Sequence, residues 1–169
     1  MHHFKPEQFR SLLLAVPEKH RLMILVGFWH GLRVSELVNL TSKDIQHGYV
    51  LAKRLKGSQE TLQPYVYHKD PVLNEAPGLK ALAKLPLDTV LFPVTRFGVH
   101  KIMQKAGTKL DFPKSHAHML KHTCAHVMLD AGRPINVVQK RLGHESGAST
   151  LRYLLATDEQ AAEGMGDMI

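Results

Sequence analysis

The chain has 169 residues, 44% of them hydrophobic and 22% charged, which suits one globular domain with its own core. Its single cysteine, Cys124, excludes an internal disulfide framework and any CxxC metal spacing and points to a reducing, cytoplasmic setting; the start of the chain lacks signal-peptide character, and the apolar run around 22–29 is too short to cross a bilayer, so no membrane partner is expected. The net charge is +7, yet all 22 basic residues lie at or before Arg152 while Asp158, Glu159, Glu163 and Asp167 follow it, so a strongly basic body precedes an acidic tail and calls for a polyanionic partner, most often nucleic acid. Pro6 opens a first helix on which Phe9, Leu12, Leu13 and Val16 share a face. A second helix is predicted over 18–30, with Leu22, Leu25 and Phe28 buried and Gly31 ending it. Val34, Leu37, Val38 and Leu40 make a short third helix, and Thr41 and Asp44 mark a turn. YVLAKRL (49–55) and TLQPYVYH (61–68) flank the turn segment KGSQE and read as a β-hairpin, with Pro64 making the second strand an edge or a bulged one. Helices follow at 77–85 and 96–106. Ser115 is expected to cap a longer helix that stops before Gly132, Pro134 starts another running to Leu142, and a last one covers 149–155. The expected fold class is mainly α with a small antiparallel β-sheet, an α+β arrangement without a parallel βαβ series.

Three stretches carry chemistry. In HMLKHT (118–123), His118, His122 and the later His126 are spaced to share a helix face. A zinc-protease helix needs a glutamate after its first histidine, and Met119 stands there; no acid follows before Asp130, so no metal is expected. His116 and His126 read as half-buried histidines satisfied by backbone carbonyls. His118 instead falls in the first turn after the expected cap, where free N–H groups attract anions, with Lys121 one turn on; together they form a phosphate cradle. The helix dipole there favours a neutral His118, free to take or give a proton. In HGLRVSEL (30–37), Arg33 lies among Leu32, Val34 and Leu37, where an unpaired guanidinium is costly; it needs an anion or a carboxylate, and Glu36 is the local candidate. In LGHESGASTLRYL (142–154), Gly143 breaks a helix, His144 is presented on the break, and Tyr153 follows nine residues later. A tyrosine in an amphipathic helix is most often core; one within reach of Arg, Lys and two His has an oxygen able to attack a phosphate.

Taken in order, G-L-R-x-S-E-L, H-x-L-K-H-T, L-G-H and the tyrosine nine residues after that histidine, with a hairpin lysine between the first two, resemble the catalytic domain of the tyrosine recombinases, the phage integrases. The resemblance runs from the KPEQFRSLL helix to Tyr153, implying a catalytic domain at 1–155, an acidic tail at 156–169, and a fragment that lacks the N-terminal core-binding domain family members usually carry. It implies that Arg33 clamps a non-bridging phosphate oxygen, that Lys56 protonates the leaving 5′ oxygen, that His118 assists proton transfer at the nucleophile, that Lys121 occupies the second clamping position, that His144 donates to a phosphate oxygen, and that Tyr153 forms a 3′-phosphotyrosyl link. His122 and Glu36 are supporting residues, Glu36 orienting a neighbour. The implied partner is double-stranded DNA, bound as a homo-tetramer by a cytoplasmic, nucleoid-associated enzyme that needs no metal, ATP or other cofactor. One departure stands out: the family's second arginine is Lys121, a point charge in place of a bidentate fork. That leaves open a slower enzyme and a DNA-binding relic of the same fold. A type IB topoisomerase-like enzyme shares the chemistry, and a metal-dependent hydrolase built on the histidines is a further class.

Overall fold

The structure, a computed structural model, describes residues 3–54 and 59–144. Seven α-helices and one hairpin are found among them: α1 (Pro6–Ala15), α2 (Glu18–Trp29), α3 (Val34–Val38), β1 (Tyr49–Ala52), β2 (Thr61–Pro64), α4 (Ala76–Leu82), α5 (Arg96–Thr108), α6 (His118–Asp130) and α7 (Ile135–Leu142), with short 3-10 segments at Ser42–Gly48 and Pro71–Leu73. Mainly helical with one small antiparallel sheet, this is the expected class. No helix among the described residues is long and apolar enough to cross a membrane.

The core is built around α2. Met23 to Phe28 are all buried, so this helix is apolar on every side, and it packs against α1, α3 and α6. The amphipathic α1 covers one flank with Phe9, Leu12 and Leu13, and Phe9 meets Phe28 at a ring-centroid distance of 4.1 Å. Burial of each such side chain contributes about 1.5–3 kcal/mol. Leu22 lies at the rim of α2, half-buried rather than in the core as expected.

Helix ends differ from expectation where the backbone finds other partners. The third helix stops at Val38 because the chain pairs elsewhere: the Leu91 amide donates to the Leu40 carbonyl, and Thr41 forms a bridge with Val90. The Thr41 turn forms as expected, its amide and hydroxyl both donating to Asp44. The hairpin strands are shorter than the apolar pattern suggested. They pair without a bulge from Tyr49 against Pro64 to Ala52 against Thr61, and Pro64, which has no N–H, is the last residue of its edge strand. Beyond it, the Val66 amide donates to the Glu75 carboxylate instead of to a strand. Helix α4 runs from Ala76 to Leu82 and α5 extends to Thr108, while Pro134 precedes α7 as its N-cap.

The largest correction concerns Ser115. It does not cap α6: its hydroxyl donates to the Phe112 carbonyl, and the helix begins at His118 after Ala117, whose amide donates to Nδ1 of His100. The expected helix over 149–155 lies outside the described residues.

Candidate active site

Two helices end side by side, and each end is a glycine in the left-handed region. At α2, Gly31 has φ +58°, the Gly31 amide donates to Phe28 and the Leu32 amide to Gly27. At α7, Gly143 has φ +68°, the Gly143 amide donates to Lys140 and the His144 amide to Gln139. Both close in the Schellman manner, which favours glycine because a Cβ is strained there. The first end delivers Arg33; the second delivers His144.

Arg33 is held where it leaves the turn. Glu36, on the first turn of α3, accepts from the Arg33 amide (2.7 Å) and from its Nη1 (3.1 Å), and the carboxylate is buried. The local candidate for pairing Arg33 is thus its partner. The second oxygen of Glu36 also accepts from Nη1 of Arg54 at 3.0 Å.

The N-terminal part of α6 brings His118, Lys121 and His122 to the same mouth. His118 is solvent-exposed at the helix start. Its pKa is lowered, first by partial loss of water around the ring and then by His116, Lys121, Arg33 and His100. The neutral form is favoured as expected, through surroundings and neighbouring charges. Lys121 is buried, and its Nζ donates to the Leu142 carbonyl at 3.1 Å, next to Gly143. Burial, with Arg33 and Arg54 adding to it, brings its pKa down to about 8. His144 is held neutral in the same way, its pKa lowered to about 4 by burial and by Lys121, Arg33 and Arg54. Arg33, His118, Lys121 and His144 therefore share one electrostatic neighbourhood assembled from three separate elements.

His122 packs edge to face on His118 at 4.7 Å between ring centroids, and burial brings its pKa to about 4. His126 is stacked on His3 at 3.7 Å, so the three histidines of this helix do not converge; no group of three metal-ligating side chains forms among the described residues. The expected half-burial holds for His126 and not for His116, which is exposed because it lies on the loop before the helix. Lys56 and Tyr153 lie outside the described residues.

The site rests on residues that motif spacing did not single out. Arg54 is the principal one. Its Nη1 donates to the Gly31 carbonyl (2.9 Å) as well as to Glu36, and its Nη2 to the carbonyls of His30 (3.1 Å) and Arg141 (2.8 Å). Arg141 in turn donates through Nε and Nη2 to the Trp29 carbonyl. Gln63 donates to the Arg141 carbonyl, so its own oxygen accepts from Nδ1 of the fully buried His30, whose Nε2 faces Glu75 at 2.8 Å. One signal for Arg54 was present: the alternation that turns Val50 and Ala52 inward also turns Arg54 inward.

Comparison with known proteins gives the family and the fold. Residues 3–160 match the model of the phage integrase family. The chain is 31% identical over 174 residues to tyrosine recombinase XerC of Listeria monocytogenes serotype 4b (strain F2365), covering 92% of this chain and 58% of that protein. It is 27% identical over 141 residues to the type 1 fimbriae regulatory protein FimE of Escherichia coli (strain K12), covering 78% of this chain and 71% of that one. The chain thus spans little more than half the length of the XerC relatives. The XerA recombinase structure superposes with a TM-score of 0.72 at 22% identity, covering 97% of this chain and 64% of that one. The catalytic domain of bacteriophage HP1 integrase superposes with a TM-score of 0.70 at 20% identity, covering 91% and 87%. The Tn1549 transposon integrase, solved in complex with transposon right end DNA, gives 0.71 at 19% identity, covering 90% and 61%. At these identities the structures speak for the fold, and the family match extends over the motifs that bring Arg33, Lys121 and His144 together: the chain belongs to the phage integrase family and has the fold of a tyrosine recombinase catalytic domain.

Proposed function

We propose that this chain cleaves and rejoins double-stranded DNA through a 3′-phosphotyrosyl intermediate, as the catalytic part of a site-specific recombinase that assembles as a tetramer on its DNA. The observation that carries the reading is the convergence of Arg33, His118, Lys121 and His144 from three helix ends onto one mouth of a strongly basic chain. A phosphorane-like transition state concentrates negative charge, and preorganised cations and N–H donors stabilise it best. Arg33, fixed by Glu36, and Lys121 hold non-bridging oxygens. Among the described residues, the Lys121 ammonium commits one of its three protons to Leu142 and keeps two for substrate. His144, neutral, donates one hydrogen bond. His118, neutral, accepts the proton that the phenol of Tyr153 must lose, a phenol of ordinary pKa ~10. Lys56 protonates the leaving 5′ oxygen; the described residues that flank it in sequence, Arg54 and Gln59, are both tied to the site, Gln59 donating its amide to the Gly143 carbonyl. The phosphotyrosyl bond stores the energy of the broken phosphodiester, so the exchange of strands needs neither ATP nor a metal.

Covalent trapping tests this. The full chain is incubated with labelled nicked duplexes drawn from the ends of the element that carries its gene, in EDTA, and run on a denaturing gel beside Tyr153→Phe. A retarded band that depends on Tyr153 is the expected result. A second reading is favoured by one observation, the buried lysine tied to a backbone carbonyl where the family has an arginine: a DNA-binding relic would bind the duplex and give no band, and restoration of the band by Lys121→Arg would locate the defect.

A further inference from the structure

We propose that Arg54 is the positioning residue of this site, a buried guanidinium that locks the helix end bearing Arg33 to the helix end bearing His144. The proposal goes beyond the catalytic set and rests on the strand-transfer reading for its kinetic part only. Arg54 has a fully buried side chain, touches no solvent and cannot reach a substrate. Its two terminal nitrogens instead serve five acceptors from four elements: the His30 and Gly31 carbonyls after α2, Glu36 of α3, the Arg141 carbonyl in the last turn of α7 and, at 3.5 Å, the Thr61 hydroxyl of β2. No other side chain among the described residues is shown bonding both helix ends and the carboxylate that holds Arg33. The planar fork suits this: a lysine carries the same charge on one atom and cannot span these acceptors in fixed directions. The turn at Gly143 is fitted around the same side chain, since a Cβ there would lie 2.7 Å from Nε of Arg54. Arg54 also contributes to the field of the site. Burial, then Lys121 and Arg33, keep His144 neutral, and Arg54 adds the smallest share.

Two variants of the full chain separate these roles. Arg54→Lys keeps the charge and loses the fork; Arg54→Met keeps the bulk and loses both. Covalent-complex formation on the nicked duplex is followed in single turnover, duplex affinity by fluorescence anisotropy, and the His144 ring titration and backbone amide shifts by NMR. For Arg54→Lys the cleavage rate is expected to fall about 10²-fold, the cost of a misplaced catalytic group, with duplex affinity within about twofold of the parent and His144 still titrating near its parent midpoint. The amides of residues 31–33 and of Gly143 and His144 shift together, because both ends lose donors. For Arg54→Met the His144 midpoint moves up, since a neighbouring cation is gone; a merely structural arginine would lower the melting temperature without this pattern. Parental cleavage by Arg54→Lys, amide shifts confined to one helix end, or an unmoved His144 midpoint in a folded Arg54→Met would each overturn the assignment. Absence of covalent complex from the parent chain itself counts against the strand-transfer reading instead; the paired amide shifts in Arg54→Lys then decide the Arg54 lock alone.

Discussion

The ends of α2 and α7 solve the same problem with different materials. Each leaves carbonyls without helical partners, and each has three consecutive ones capped from outside. At α2, Trp29 receives Arg141, and His30 and Gly31 receive Arg54. At α7, Arg141 receives Arg54 and Gln63, Leu142 receives Lys121, and Gly143 receives the backbone amide of Gln59. Apart from the Cys124 thiol, which reaches the Trp29 carbonyl at 4.0 Å, the first set is guanidinium, which also complements the negative end of the helix dipole and never loses its charge near neutral pH. The second set mixes one guanidinium with two neutral donors and a titratable lysine. The end that presents Arg33 is therefore held chiefly by groups whose charge persists near neutral pH, while the end that presents His144 also depends on a lysine that titrates.

The heaviest blow to the stronger end is removal of Glu36. The buried carboxylate balances Arg54 and orients Arg33. Glu36→Ala is expected to cost about 3–5 kcal/mol, the typical penalty for stranding a buried charge, read from chemical denaturation. A loss under about 1 kcal/mol would mean that the carbonyl ligands alone hold Arg54, and the α2 end would owe its rigidity to backbone and not to the ion pair.

Much of this architecture was legible in the sequence, for identifiable reasons. Apolar spacing located α1 and α2, and turn residues located the hairpin, because local periodicity reports which face is buried. Arg33, Lys121 and His144 were legible because each sits at a fixed step from a glycine or histidine that its turn or helix requires. Ser115 misled: its hydroxyl donates to the Phe112 carbonyl in its own turn, and the helix starts only at His118, with Ala117 and not Ser115 at its N-cap. Arg141 was illegible because its acceptor, the Trp29 carbonyl, is 112 residues away, and carbonyls leave no residue-type signature. The His30–Glu75 pair, 45 residues apart, is hidden for the same reason.

The two glycines give a direct contest between the ends. A Cβ on Gly31 would lie 2.6 Å from Cδ2 of Leu142, the far end of a side chain that can give way. A Cβ on Gly143 would meet Arg54 at 2.7 Å and also the backbone oxygen of Gln59 at 2.9 Å, neither of which is free to move. A left-handed alanine costs about 1–2 kcal/mol by itself, and overpacking adds about 1–3. Gly143→Ala is expected to lose about 2–4 kcal/mol and Gly31→Ala about 1–2. Equal shifts in unfolding midpoint would show that the α7 end yields as easily as the α2 end.

The mildest test uses pH and acts on one end only. The pKa of Lys121 is about 8 in the folded protein, below the ordinary lysine value of 10.5, so the folded chain gives up this proton before the unfolded chain does. Charged Lys121 therefore costs stability below about pH 8, and the cost disappears as pH rises from 8 towards 10.5, so this group makes the protein more stable in alkali. On the strand-transfer reading, catalysis is expected to move the other way, because the neutral amine is a poorer partner for both Leu142 and a phosphate oxygen. Between pH 7 and pH 9 the strand-cleavage rate is expected to fall about tenfold, equivalent to about 1.4 kcal/mol, while the melting temperature falls less steeply over that range than in Lys121→Met, which lacks the opposing gain. Lys121→Arg should abolish the alkaline fall in rate, since its charge persists. If the arginine variant keeps the same alkaline limb, the titrating group is another one, and the α7 end is no more sensitive to pH than the α2 end.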